Sequence, residues 1–280
     1  MARAAGARRV SGRNARFQEW EALLGNRAKR RRRGEFLVQG VRPITLAVAR
    51  GWPVRELLYD AGARLSGWAR ETLDTVGAER IAVSSELMRE LGGKDDAAPE
   101  LLAVVAMPED DLGRIPVGPA MLTVVFDRPA SPGNIGTLVR SADAFGASGV
   151  IVTGHAADVY DPKAVRASTG SLFALPVVQM PSHQAVLSWV AGLRADGIAM
   201  SIVGTDERGA LAAADYDFTR ATLALIGNET TGLSSGWRAA CDQFVRIPMV
   251  GSASSLNAAS AATVVLYESA RQRTAAAWHG

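Results

Sequence analysis

The chain has 280 residues, 48% hydrophobic and 21% charged, a balance that fits a folded globular protein and excludes wholesale disorder. No apolar run approaches the roughly 20 residues that span a bilayer, and a single cysteine, Cys241, excludes an internal disulfide and any cysteine-held metal cluster. The net charge of +3 conceals an asymmetry: residues 1–34 carry 11 basic residues and two acids, Glu19 and Glu21, so a strongly basic head precedes a mildly acidic body.

Such a head ordinarily meets the phosphates of a nucleic acid. Its composition also fits a solvated tail or a mitochondrial transit peptide. No apolar stretch follows the early arginines, so a secretory signal is not expected and the chain reads as cytoplasmic. His155, His183 and His279 are scattered without metal-ligand spacing, so no metal is expected.

Residues 15–33 read as a helix, with Phe17, Trp20, Leu23 and Leu24 at helical spacing and a basic run at 29–33. Together with the residues before it this forms a basic arm, 1–33, whose removal should weaken nucleic-acid binding. Strands follow at 36–38, 54–59, 80–83 and 101–106, alternating with helices at 41–50, 66–76 and 85–91. That alternation makes residues 34–106 a small α/β domain. Residues 107–120 hold three prolines, two glycines and an acidic cluster, and read as a linker. From 121 to 280 the alternation restarts. Strands are expected at 122–126, 149–152, 176–178, 198–203, 222–226 and 244–247, and helices at 135–145, 162–168, 183–195, 235–242 and 255–274. This is a second α/β domain with a mostly parallel sheet.

Several familiar motifs are absent: no G-x-G-x-x-G after a strand, no P-loop and no G-x-S-x-G elbow. Three other segments stand out, each at the end of an expected strand. In Phe126-Asp-Arg-Pro-Ala-Ser-Pro-Gly-Asn-Ile-Gly-Thr-Leu-Val-Arg140, Asn134 sits where a helix cap belongs and Arg140 lies off the buried stripe. In Leu225-Ile-Gly-Asn-Glu-Thr-Thr-Gly-Leu233, a buried strand runs into Gly227, Asn228 and Glu229. In Ile247-Pro-Met-Val-Gly-Ser-Ala-Ser-Ser-Leu-Asn257, small residues let backbone approach a ligand, and Asn257 opens an alanine-rich helix. Each alone also fits a capped helix or an ordinary loop.

In this order, the three segments resemble the signature motifs of the SpoU (TrmH-like) RNA ribose 2′-O-methyltransferases of the SPOUT superfamily. Gly34-Glu-Phe-Leu-Val-Gln-Gly-Val-Arg42 is similar to the opening of that family's L30e-like RNA-binding domain, and residues 160–171 are similar to its connector between motifs. The stretches 11–27, 51–60 and 154–163 are less general. They resemble an actinobacterial branch that acts on 23S rRNA and confers resistance to avilamycin.

The resemblance implies a catalytic domain folded as a trefoil knot and a homodimer whose sites draw on both chains. It implies S-adenosylmethionine as cofactor, held mainly by the backbone of Gly227, Ile247 and Leu256, with Gly204, Thr205, Asn228 and Met249 nearby. It implies Arg140 at the ribose hydroxyl as base or phosphate clamp, with Asn134 and Asn257 orienting, Glu229 holding the motifs in register and Ser255 lining the site. Arg30, Arg31, Arg32, Arg33, Arg42 and Arg166 are then the candidate RNA contacts. The same chemistry on tRNA, or a non-catalytic RNA-binding protein on this scaffold, are the alternatives.

Overall fold

In the computed structural model, which describes residues 8–93 and 98–279, the chain divides into two units. The first runs up to Pro108 and also takes in Tyr160–Phe173; the second holds Glu109–Val159 and the chain from Ala174 onward.

The first unit contains β1 (Arg8–Val10), α1 (Ala15–Gly25), α2 (Arg27–Arg33), β2 (Glu35–Gln39), α3 (Val41–Ala49), β3 (Val54–Asp60), α4 (Gly67–Thr75), β4 (Glu79–Val83), α5 (Ser85–Gly92) and β5 (Leu101–Ala106). Its five-stranded sheet has the order β1-β4-β3-β5-β2. β1, β4 and β3 run parallel, and β5 is antiparallel to both β3 and β2. The apolar run Leu-Leu-Ala-Val-Val of β5 suits a strand paired on both sides and covered on both faces.

The basic head corrects the expectation of an appended arm. Residues 1–7 lie outside the described residues; from Arg8 on, the head is part of the first unit. Val10, Phe17, Trp20 and Leu23 are buried with Leu58, Ile81, Met88 and Leu102 in one core. The single helix expected at 15–33 breaks at Asn26, because asparagine caps well: its side chain accepts from Lys29 N at 3.0 Å and starts α2. Much of the head's charge is matched within the chain. Arg13 pairs with Glu90, Arg16 with Glu56 at 2.6 Å, and Arg33 with Glu19 and Glu35 at 3.1 Å each. Arg30 is only 2% exposed and donates to the carbonyls of Leu23 (2.6 Å) and Leu24 (3.1 Å), so it binds the α1–α2 turn and not RNA.

Truncating residues 1–33 would therefore unfold the first unit instead of trimming RNA affinity. Trp20→Ala is the sharper test. It deletes a buried aromatic and the 2.7 Å hydrogen bond from Nε1 to the buried Glu56 carboxylate. We expect a loss of about 3–5 kcal/mol, read as a drop in the melting temperature of the first unit.

The second unit contains β6 (Leu122–Asp127), α6 (Pro132–Ala144) and β7 (Gly149–Thr153). The chain then crosses to the first unit for α7 (Pro162–Ala167) and a 3-10 turn (Ser171–Phe173), and returns. It continues with β8 (Val177–Met180), α8 (His183–Ala195), β9 (Ser201–Thr205), β10 (Leu211–Ala212), β11 (Thr222–Ile226), α9 (Ser235–Ala240), β12 (Gln243–Arg246) and α10 (Ala258–His279). The excursion was expected within the second domain. It joins the first unit because its aromatic residues pack there: Tyr160 and Phe173 flank Phe36, with ring centroids at 4.8 and 6.2 Å, and Trp52 donates to the Phe173 carbonyl at 3.3 Å.

The second sheet has seven strands in the order β10-β12-β9-β11-β6-β7-β8, every pair parallel. Its central strands are fully buried valine, isoleucine and leucine runs, as a sheet covered on both faces requires. α10 packs on α6, where Ser141 meets Thr263 hydroxyl to hydroxyl at 2.7 Å.

Candidate active site

The strand order sets β12, β9 and β11 side by side, so their carboxyl ends and the loops beyond them converge. Together these loops enclose a cavity of about 510 Å³. Open parallel sheets bind ligands at this end of their strands, and the volume suits a small organic molecule. Ile226, Val245, Ile247 and Leu256 supply apolar wall; Thr205, Asp206, Glu207, Arg208 and Arg238 supply polar groups. An adenosine joined to an amino acid needs such a mixed lining. Of the residues expected around a cofactor, Thr205, Gly227, Asn228, Ile247, Met249 and Leu256 line the cavity, as do Glu229 and Ser255. Gly204 does not. It lies inside β9, where a Cβ would come within 2.8 Å of Phe244 and Cys241, so its small size serves strand packing.

The 227–234 loop is held by its own backbone. A Cβ on Gly227 would sit 2.5 Å from both Gly232 C and Leu233 N, so only glycine allows the loop to fold back. Asn228 and Gly232 exchange backbone hydrogen bonds of 3.1 and 3.0 Å. The Asn228 side chain accepts from Thr230 N (2.9 Å) and Thr231 N (3.0 Å) and donates to the Arg128 carbonyl (2.7 Å). Its contribution is therefore the shape of the wall.

One chain of hydrogen bonds joins all three motif segments. Asn257 Nδ2 donates to Asn134 Oδ1 at 3.2 Å, Asn134 Nδ2 donates to Glu229 Oε1 at 2.8 Å, and Ala130 N donates to Glu229 Oε2 at 3.2 Å. Two helix starts differ from expectation and make this possible. Ser131, not Asn134, caps α6, which frees the Asn134 side chain for Glu229. Asn257 precedes α10, and its Oδ1 accepts from Ala259 N and Ser260 N at 3.0 and 3.3 Å.

Burial works to raise the Glu229 carboxyl. Hydrogen bonds from Asn134 and from the backbone N–H groups of Glu229, Ala130 and Ser131 outweigh it and hold the group below its usual value. Glu229 is thus ionised at neutral pH and serves as an acceptor. A depressed carboxylate stabilises the folded site above its ordinary value of about 4.3, and that contribution disappears as pH falls through the lower folded value. Glu229→Gln is expected to weaken cofactor binding about tenfold at pH 7, the scale of one lost charge-assisted hydrogen bond. Titrations from pH 7 down through the carboxylate range should show the acid-induced loss in the wild type and a shallower one in the variant.

Arg140 is exposed on α6, six residues and about 9 Å of helix rise beyond Asn134. It makes no hydrogen bond or ion pair among the described residues and does not line the cavity. Arg31, Arg32, Arg33, Arg42 and Arg166 are exposed on the first unit.

Sequence reasoning missed a buried network under the motif loops. Asp127, 2% exposed, accepts from Ser234 N at 2.8 Å and from Thr153 Oγ1 at 3.2 Å, and Trp237 Nε1 donates to Thr153 Oγ1 at 3.2 Å. The available signal was an aspartate closing an otherwise apolar strand. The acidic and basic residues just after β9 were missed for want of any motif.

Two family models match the chain: the SpoU L30e-like domain over residues 14–103 and the SpoU rRNA Methylase family over residues 121–267. The chain is 64% identical over 267 residues to a 23S rRNA (uridine(2479)-2′-O)-methyltransferase of Streptomyces viridochromogenes, covering 95% of this chain and 93% of that one. Its structure is similar to that of the SpoU methyltransferase AviRb from the same organism in complex with the cofactor AdoMet, with TM-score 0.91 and 64% identity over 94% of this chain and 99% of that one. It is also similar to an AdoMet-bound rRNA methyltransferase from Sinorhizobium meliloti, with TM-score 0.83 and 26% identity over 95% and 98% of the two chains. With both domains matched in order, the chain belongs to the SpoU rRNA methylase family.

Proposed function

We propose that this chain transfers a methyl group from S-adenosylmethionine to a ribose 2′-hydroxyl of 23S rRNA, at a uridine, working in the cytoplasm as a homodimer with a knotted catalytic domain. The observation that carries this reading is the Asn257–Asn134–Glu229 hydrogen-bond chain, which ties three motif loops together beside a cavity of cofactor size. The streptomycete relative, alike over nearly the whole of both chains, supports the choice of 23S rRNA and of uridine. Resistance to a ribosome-targeting antibiotic such as avilamycin is the consequence we propose.

When bound, the sulfonium supplies an electrophilic methyl carbon. What is left to the protein is to place the 2′-oxygen in line and to favour loss of its proton. The planar guanidinium fork of Arg140 suits bidentate contact with a phosphate, so its part is to clamp the adjacent phosphate and steady the developing alkoxide. Asn134 and Asn257 orient the nucleotide, with Glu229 holding Asn134. Arg140 reaches the cavity of the partner chain. Exposed Val264 and Tyr267 on α10 and the fully exposed Val250 support an apolar dimer face. Arg31, Arg32, Arg42 and Arg166 meet RNA phosphates, which set affinity and its salt dependence.

The test is incubation with tritium-labelled S-adenosylmethionine and RNA from a strain lacking the gene. Label in 23S rRNA at one uridine is expected. Label confined to tRNA, or none in any RNA, would overturn the reading.

A further inference from the structure

We infer that Arg128 is a positioning residue for the cofactor cavity, fixing the 227–234 wall without touching the ligand; the inference rests on the cofactor reading above. Arg128 adopts φ 53°, the left-handed region. Few non-glycine residues go there, and the proline that follows restricts the backbone further. Such a conformation persists only where surrounding contacts over-determine it.

Those contacts are present on every side. Arg128 N–H donates to the Thr153 carbonyl at 2.9 Å. Its carbonyl accepts from Asn228 Nδ2 at 2.7 Å, its guanidinium donates to the Gly232 carbonyl at 3.0 Å, and its Nε faces Asp127 Oδ2 at 3.2 Å. The side-chain stem passes over Gly154, where a Cβ would lie 2.8 Å from Arg128 Cγ. Asn228 and Gly232 are the two ends of the bridge that closes the cavity's loop. A single residue therefore grips both ends of that bridge, one through its strained backbone and one through its side chain. Arg128 itself is absent from the cavity lining. Losing the guanidinium leaves Asp127 its bonds from Ser234 N and Thr153 Oγ1, so the sheet beneath keeps its partners.

The experiment compares Arg128→Ala, Arg128→Gly and Arg128→Lys with the wild type. S-adenosylmethionine affinity is read by calorimetry, and amide exchange at 228–232 is read without ligand. Arg128→Ala should weaken binding at least tenfold and speed exchange at 228–232 while leaving β6 and β7 protected. Arg128→Gly keeps the left-handed backbone and should be milder. Arg128→Lys keeps the charge but loses the planar fork, and should recover part of the loss. Unchanged exchange at 228–232 in both Arg128→Ala and Arg128→Gly would overturn the inference. So would faster exchange spread evenly over the whole sheet, the mark of a merely structural residue. If the wild type itself failed to bind, the cofactor reading would fall, and exchange alone would still decide the role of Arg128.

Discussion

Arg140→Ala is expected to reduce methyl transfer by at least about 10²–10³-fold, the scale of losing one preorganised group at a developing charge, with cofactor affinity and melting temperature unchanged. The side chain is exposed, while Ile135, Leu138, Val139 and Ala142 carry the buried face of α6, so the substitution opens no core cavity. Single-turnover rates at saturating cofactor measure the effect. Arg140→Lys separates the possible roles. A bidentate phosphate clamp is served poorly by an ammonium, so lysine should recover little. Substantial recovery with a new pH dependence would instead point to proton transfer at this position. Wild-type turnover in Arg140→Ala would remove the residue from the mechanism.

Gly227→Ala should have the second large effect, a loss of cofactor binding of roughly 5- to 160-fold, the scale of an overpacking strain of about 1–3 kcal/mol concentrated in the cavity wall. The added methyl would meet backbone atoms of Gly232 and Leu233 at 2.5 Å. Backbone cannot rotate away as a side chain can, and the Asn228–Gly232 bridge resists displacement. Calorimetric titration gives the affinity; wild-type binding would show that the loop has slack the structure does not suggest. The two variants also test whether the site is shared between chains. Mixed dimers of Gly227→Ala and Arg140→Ala chains hold one intact cavity facing one intact Arg140 if the site is built from both chains. They should then regain activity that neither parent dimer has. Inactive mixed dimers would place Arg140 and the cavity it serves in the same chain.

Much of this site was legible because its chemistry clusters at strand ends. Apolar runs located β6, β9, β11 and β12, and the residues just beyond β6, β11 and β12 marked the motif loops. What escaped was set by partners distant in sequence. Nothing local to Arg30 distinguishes it from Arg31 or Arg32; only the fold turns it inward onto the Leu23 and Leu24 carbonyls. The arm looked detachable because its charge was visible, whereas two of the carboxylates matching it, Glu56 and Glu90, lie 40 and 77 residues from their arginines. Asn134 was read as a cap because asparagine prefers that position. Ser131 takes the cap, and Glu229, 95 residues on, claims the amide. Gly204 and Gly227 look alike in sequence, each near the end of a buried strand. Only the atoms facing them show that one serves packing between strands and the other the cavity wall.

Methylation of a ribose oxygen is read most directly by mass spectrometry of nucleosides from 23S rRNA after reaction with the purified enzyme. One new modified nucleoside, 2′-O-methyluridine, is expected, with the added mass of about 14 Da on the sugar fragment, produced by the wild type and missing with Arg140→Ala. A methyl group carried on the base fragment, or no methylated nucleoside at all, would contradict ribose methylation.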